Sequence, residues 1–288
     1  MSQARALILI RGGGDLASGV ALRLYRGGLQ VAIGELAEPL AVRRAVSFAE
    51  AVFEGQHTVE GVTARLAQPE QLITTLEANE IPVLVDPDAE ILLSYPFTVV
   101  IDGRLTKQPP APLPVAVPLH IGLGPGFHAG DDCDAVIETR RSHTLGRVYW
   151  HGLTQPDSGQ PEGDPRRVLR APGDGIFIGH KKIGQHCEPG ELIAEIDGLE
   201  ANGPGLKIVS EIGGVLRGVV RDGLRVPKGM KVGDVDPRDE ESACYLVSDK
   251  ALAIGGAALE AILSKPEIRE RLWTPSASSP KYAKLDSE

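Results

Sequence analysis

The sequence predicts an α/β protein in two parts, a parallel sheet wrapped by helices followed by a duplicated all-β unit. Three observations carry that prediction. An unbroken apolar run, Ala6 to Ile10, leads straight into three consecutive glycines; strand-like and helix-like segments then alternate as far as Leu123; and a stretch of 27 residues recurs at a constant offset of 39.

The run ALILI is apolar at every position, as in a strand buried on both faces of a parallel sheet. After Gly12-Gly13-Gly14, the spacing of Val20, Ala21, Leu24 and Tyr25 predicts a helix over Ser18–Tyr25, stopped by Gly27 and Gly28. A strand over Gln30–Gly34 completes a strand–loop–helix–strand unit, for which a right-handed crossover is the rule. Pro39 suits a first helical turn, so Leu40–Phe53 reads as a second helix. Its apolar face is Val42, Ala45, Val46, Ala49 and Phe53, and its polar face Arg43, Ser47 and Glu50. A strand over 63–66, a helix over 69–79 and strands over 82–85, 97–101 and 119–123 continue the alternation into an open sheet. Residues 134–139 and 146–150 add antiparallel edge strands. Residues 1–151 thus form one ligand-binding domain, and the aperiodic, Pro- and Gly-rich segment 152–167 a linker.

The repeat lies beyond the linker. APGDGIFIGHKKIGQHCEPGELIAEID from Ala171 aligns without gaps on SEIGGVLRGVVRDGLRVPKGMKVGDVD from Ser210, with Gly175, Gly184 and Gly190 on Gly214, Gly223 and Gly229. Each copy is too short to hold a core alone, so the two should interlock. That predicts a barrel-sandwich hybrid over 168–242, the pseudo-symmetric sandwich of biotinyl and lipoyl domains. A carrier role is disfavoured. In the hairpin between the copies Lys207 is the only lysine, and it sits at the start of the next strand while Asn202-Gly203-Pro204-Gly205 takes the turn. Over 243–272 a strand at Ala243–Val247 precedes a helix at Lys250–Leu263, with Leu252, Leu259, Ile262 and Leu263 as candidate buried positions, Gly255-Gly256 as a weakness or a close-packing point, and a last helical turn from Pro266. The polar tail 273–288 reads as disordered.

Composition bounds the function. A formal charge of −9 argues against a nucleic-acid surface and leaves small ligands or protein partners. Cys133, Cys187 and Cys244 form no C-x-x-C, which suits a reducing cytoplasm and no structural zinc. The N-terminal apolar run is far short of the ~20 residues of a membrane span, and no signal-peptide layout precedes it. A cytoplasmic, unprocessed protein is expected. A homo-oligomer is among the states the sequence allows.

The candidate ligand site is the glycine loop. Gly12, Gly13, Gly14, Asp15, Leu16 and Ala17 fit G-x-G-x-x-A between a buried strand and a helix. There glycine permits a sharp turn and close backbone approach, and the helix start offers free N–H groups to a phosphate. The domain is therefore Rossmann-like. Ser18 lies in the first helical turn, and Glu35 stands where an acidic residue accepts hydrogen bonds from ribose hydroxyls. Asp15 would repel a pyrophosphate, so the ligand need not be NAD; the plainer readings are a structural turn and a helix cap. Arg43 and Arg44 are candidates for clamping an anion, against the alternative of an ordinary solvated helix face. Gly124 and Gly126, in Gly122-Leu123-Gly124-Pro125-Gly126, offer a second anion site or the floor of the same crevice. His128 with Asp131, Asp132 and Asp134 lacks metal-ligand spacing and reads as a polar loop; no metal site and no catalytic residue are assigned.

Several blocks carry a resemblance to a known family: IRGGGDLASGVALRLYRGG from Ile10, ELAEPLAVRRAVSFAEAVFEG from Glu35, TVEGV from Thr58, IPVLVDP from Ile81, IGLGPGF with DAVIETRR, VLRAPGDGIF, KGMKVGDVDPR and SDKALAIGGAALEAIL. From about residue 6 to 264 the chain resembles the accessory protein of selenium-dependent molybdenum hydroxylase systems. The resemblance implies a cytoplasmic protein that helps mature those enzymes or insert their molybdenum cofactor, with a molybdenum hydroxylase or its maturation machinery as partner. It also implies kinship with xanthine dehydrogenase accessory proteins, which handle the molybdopterin cofactor. A molybdopterin-type dinucleotide and NAD(P) both stand as cofactors at this stage, and an NAD(P)-dependent oxidoreductase or a non-enzymatic scaffold remain the alternatives. Whether a reaction is catalysed stays open.

Overall fold

The computed structural model describes residues 6–159, 163–198 and 205–272. The chain begins with β1 (Leu7–Arg11), α1 (Asp15–Arg26) and β2 (Gln30–Glu35). It continues through α2 (Ala51–Glu54), the hairpin β3 (Gln56–Val59) and β4 (Val62–Leu66), α3 (Leu72–Glu77), β5 (Ile81–Val85), β6 (Phe97–Asp102) and β7 (Leu119–Leu123). Then come β8 (His128–Ala129), β9 (Ala135–Ile137), β10 (Val148–Tyr149) and β11 (Gly152–Leu153). A nine-stranded sheet takes the order β10-β9-β7-β6-β1-β2-β5-β4-β3, parallel except for its two outermost strands.

Alternate residues of β1 serve two cores, as period-two geometry requires. Ile8 and Ile10 face Val20, Leu24 and the C-terminal helices, whereas Leu7 and Leu9 face Leu72, Ile91 and the ribbon Leu113, Val115 and Val117. No helix separates β6 from β7, so that extended ribbon covers the sheet instead.

Two expectations for this domain need correction. Leu40–Phe53 is not one helix: 3₁₀ turns at Arg44–Val46 and Phe48–Glu50 precede the single turn of α2, with Ser47 extended between them (φ −121°, ψ 117°). The backbone is held instead by the glycine loop, because Ala49 N donates to Gly13 O and Phe48 N to Ser18 Oγ. Arg43, Ser47 and Glu50 are consequently buried, not a solvated face. Second, β9 runs parallel to β7, and only β10 is antiparallel.

The second unit follows as β12 (Val168–Arg170), β13 (Gly175–Gly179), β14 (His186–Cys187) and β15 (Leu192–Gly198), then β16 (Leu206–Val209), β17 (Gly214–Val219), β18 (Arg225–Val226) and β19 (Lys231–Asp236). Its two four-stranded sheets have orders β12-β19-β17-β14 and β16-β15-β13-β18. The copies interlock: β14 of the first pairs with β17 of the second, and β18 of the second with β13 of the first. The aligned glycines share their reasons. A Cβ on Gly175 would clash with Asp197 O and one on Gly214 with Asp236 O, itself the aligned residue. Gly190 and Gly229 both turn at positive φ, +84° and +79°. Gly214→Ala should therefore lower unfolding free energy by about 1–3 kcal/mol, read from urea melts; an unchanged midpoint would show that the strands part freely. Lys207 lies on β16 and pairs with Glu195 of β15, as expected of a strand residue. Residues 160–162 of the linker, 199–204 of the hairpin and the tail 273–288 lie outside the described residues.

The chain then returns to the first unit. α4 (Asp249–Leu263) packs along α1, and α5 (Pro266–Leu272) joins the same core. The contact is close because glycine sits on both sides. A Cβ on Gly19 would lie 2.5 Å from Ala251 Cβ, and one on Gly255 2.9 Å from Gly19 O. Of the four residues expected to be buried in this helix only Ile262 is fully so; the small residues Ala251, Ala257, Ala258 and Ala261 take the contact face. Ala243–Val247 is not a strand. Side chains satisfy its backbone: Arg43 donates to Ala243 O and Leu246 O, and Glu60 accepts from Val247 N.

Candidate ligand site at the glycine loop

In an open parallel sheet the crevice lies at the carboxyl ends of the strands, where the strand order reverses. Here β1 has β2 on one side and β6 on the other, and Gly12–Gly14 leaves the carboxyl end of β1 at that reversal.

The three glycines have different reasons. Gly12 adopts φ +89°, and a Cβ on Gly13 would lie 2.9 Å from Ala49 N. Gly14 has neither constraint: its backbone (φ −64°, ψ 177°) suits any residue, and a Cβ there would meet nothing within 4 Å. It is the N-cap of α1 and makes no side-chain cap bond. The first turn of a helix leaves N–H groups without intrahelical partners, and the first i→i−4 bond here runs from Ser18 N to Gly14 O. The N–H groups of Asp15 to Ala17 therefore precede the helical ladder, at the positive end of the α1 dipole.

The flanking residues brace this loop. Glu35 is buried and turned inward, accepting from Gly13 N at 2.7 Å and Leu36 N at 2.5 Å. Burial pushes its carboxyl above the usual range, and the two backbone bonds oppose that rise. Ser18 Oγ donates to Gly13 O while accepting from Phe48 N, tying helix, loop and the 43–50 segment together. Asp15 does not cap the helix; it lies 3.9 Å from Arg43.

Sequence reasoning missed the cations that the fold adds. Arg11 ends β1 buried against Asp102, with Nη2 on Pro87 O, and Arg104 shares Asp102. Arg43 and Arg44 are not a free clamp. Arg43 binds carbonyls 243 and 246, Arg44 donates to Val219 O and stands near Glu50, and Arg221 pairs with the same Glu50. They join the two units. The Nε atoms of Arg11 and Arg43 nonetheless remain buried without a hydrogen-bond partner.

From the duplicated unit, Asp234 is wholly buried among Arg167 (3.0 Å), Arg217 and Lys231 (3.8 Å). Burial lowers the Lys231 pKa, and the charges of Asp234 and, more weakly, Asp15 oppose that fall. Its neighbour Asp236 is held down to about 2 by Arg238 and Arg217. A carboxylate whose folded pKa lies below the unfolded value of about 3.9 stabilises the fold above that value. The stability that Asp236 contributes should thus be fully present above pH 4 and fall between pH 4 and 2; a melting temperature flat across that window would contradict the assignment.

Gly124 and Gly126 do not join this site as open N–H groups. A Cβ on Gly124 would lie 2.5 Å from Thr139 Oγ1, and one on Gly126 2.8 Å from Gln108 N and O, while Gly124 N donates to Ile137 O. Close packing accounts for both. Among the described residues no three His, Cys, Asp or Glu side chains are grouped to hold a metal ion, and no helix is long and apolar enough to cross a membrane. The three cysteines are buried, and burial pushes the Cys133 thiol up to about 11.

No protein-family model matches the chain. Over 262 residues it is 45% identical to a protein of Escherichia coli (strain K12) named "Uncharacterized protein YqeB", covering 89% of this chain and 47% of that one. The chain is a homologue of YqeB. It spans about half the length of this curated relative. Among solved structures, a succinylglutamate desuccinylase/aspartoacylase from Rhodobacter sphaeroides is 13% identical with a TM-score of 0.28, over 81% of this chain and 86% of that one. The ectoine utilization protein EutE (DoeB) from Ruegeria pomeroyi is 12% identical with a TM-score of 0.29, over 81% and 85%. Likeness at these TM-scores carries no argument about fold or activity.

Proposed function

We propose that the chain binds a phosphate-bearing cofactor of nucleotide-like or molybdopterin type at the glycine loop, and acts as an accessory protein in the maturation of selenium-dependent molybdenum hydroxylases. The observation that carries the binding is Gly14. Neither backbone conformation nor packing requires glycine there, and a Cβ on this N-cap residue of α1 would project into open space. A Rossmann-like reading of the first unit gives that room its use, since close approach of a phosphate to the helix start is what a side chain would block. The unpartnered Nε atoms of Arg11 and Arg43 suit an anion. The duplicated unit, read as a barrel-sandwich hybrid, docks the partner and brings its cationic cluster to the edge of the site. The maturation role rests on the family resemblance of the motifs.

An NAD(P)-dependent oxidoreductase is the weaker reading. Its ribose acceptor would be Glu35, whose oxygens are engaged by Gly13 and Leu36. In cells lacking this protein, the partner hydroxylase should be produced at normal amounts with its molybdenum content cut at least tenfold. Elemental analysis of the purified hydroxylase decides it, and normal molybdenum loading would overturn the maturation role.

A further inference from the structure

A cavity of about 670 Å³ opens at the opposite edge of the sheet, by the amino ends of β7 and β9. It falls within the 300–1,000 Å³ range of small-molecule sites. One wall is acidic and belongs to the turn between β8 and β9. Asp132 Oδ2 accepts from His128 N and Asp134 Oδ2 from His120 N, which fixes both carboxylates. The facing wall is the apolar ribbon that includes Leu113, Val115 and Val117. His120, on β7, also lines the cavity. It is 9% exposed, its Nε2 is buried without a hydrogen-bond partner, and it stands edge-on to Phe127 at 6.2 Å. Burial of an unpaired polar atom is costly, and a ligand that pairs it recovers that cost. Lys265, with its ammonium 4.4 Å from the Trp150 ring centroid, lines it too, as do Asp131 and His151.

We propose that this cavity is a second ligand site, built for a guanine-type ring: a flat heterocycle that presents two adjacent N–H donors beside a carbonyl. Ionised carboxylates only accept, so the acidic wall selects an edge made of donors. Lys265 only donates, so it calls for an acceptor on the same ligand. The apolar ribbon takes the ring face. A phosphate would meet the carboxylates, and a simple ammonium would meet Lys265 while leaving the apolar wall bare. Adenine offers an acceptor where the second donor is wanted, and hypoxanthine lacks the amino group.

Calorimetry of the full chain with guanosine, inosine and adenosine tests this. Guanosine should bind saturably, inosine at least tenfold more weakly and adenosine not at all. Asp134→Asn, which keeps an acceptor for His120 N, should weaken guanosine at least tenfold. Ala116→Trp, at an exposed position of the ribbon, should abolish binding by filling the cavity, and Gly14→Val should leave it unchanged. Three results would each overturn the proposal: no guanosine binding at millimolar concentration, equal affinity for inosine, or guanosine binding that survives Ala116→Trp and is lost with Gly14→Val.

Discussion

Asp234→Ala should destabilise the protein by about 3–5 kcal/mol, the usual cost of removing one partner from a buried ion cluster. Asp234 is fully shielded from solvent, and its two oxygens hold Arg167 and Arg217 with Lys231 beyond them. Three cations hold its carboxyl below the usual range against the opposing effect of burial. Without it the three positive charges crowd together, and Asp236, 3.3 Å from Arg217, offsets only part of that charge. Asp234→Asn keeps the shape and removes the charge, so it should recover part of the packing and little of the electrostatics. Urea denaturation followed by circular dichroism measures both. A loss below about 1 kcal/mol for the alanine variant would mean that the charges rehydrate freely, as exposed pairs do.

Gly14→Val should leave the folded protein intact and weaken its phosphate-bearing ligand at least a hundredfold, about 2.7 kcal/mol. The backbone at Gly14 is open to any residue, and the added methyls enter space that holds no protein atom within 4 Å of the Cβ. Gly13→Val supplies the contrast. Its side chain would press on Ala49 N and on Ile33, which should lower stability as well as binding. Thermal melts and calorimetry together separate the two. If Gly14→Val binds as tightly as the native chain, the space over α1 is not where the phosphate sits.

Local patterns announced much of the fold, because they record local physics. The run at Ala6–Ile10 gave away a strand buried on both faces, and the glycines at a constant offset marked turns and close contacts that the two copies share. Failures came where tertiary partners override local preference. Residues 40–53 have helical periodicity, but bonds from Ala49 and Phe48 to the glycine loop and Ser18 pull the backbone into 3₁₀ turns. Ala243–Val247 has strand composition, yet Arg43 and Glu60, both distant in sequence, satisfy its backbone. The candidate site was legible as a loop and not as a surrounding. Gly12, Gly13, Gly14, Ser18 and Glu35 do meet, but the expected ribose acceptor turns inward, and Arg43 and Arg44 serve the junction between the units. Arg11, Arg104 and the Asp234 cluster gave no signal, since single charged residues carry no period.

The most direct measurement is mass spectrometry of small molecules released on denaturing the native chain and Gly14→Val, each purified from a host that makes molybdenum cofactor. The predicted result is a phosphate-bearing pterin or nucleotide released in near-stoichiometric amount from the native chain and absent from the variant. Release of no such molecule from the native chain, or of equal amounts from both, would contradict ligand binding at the glycine loop.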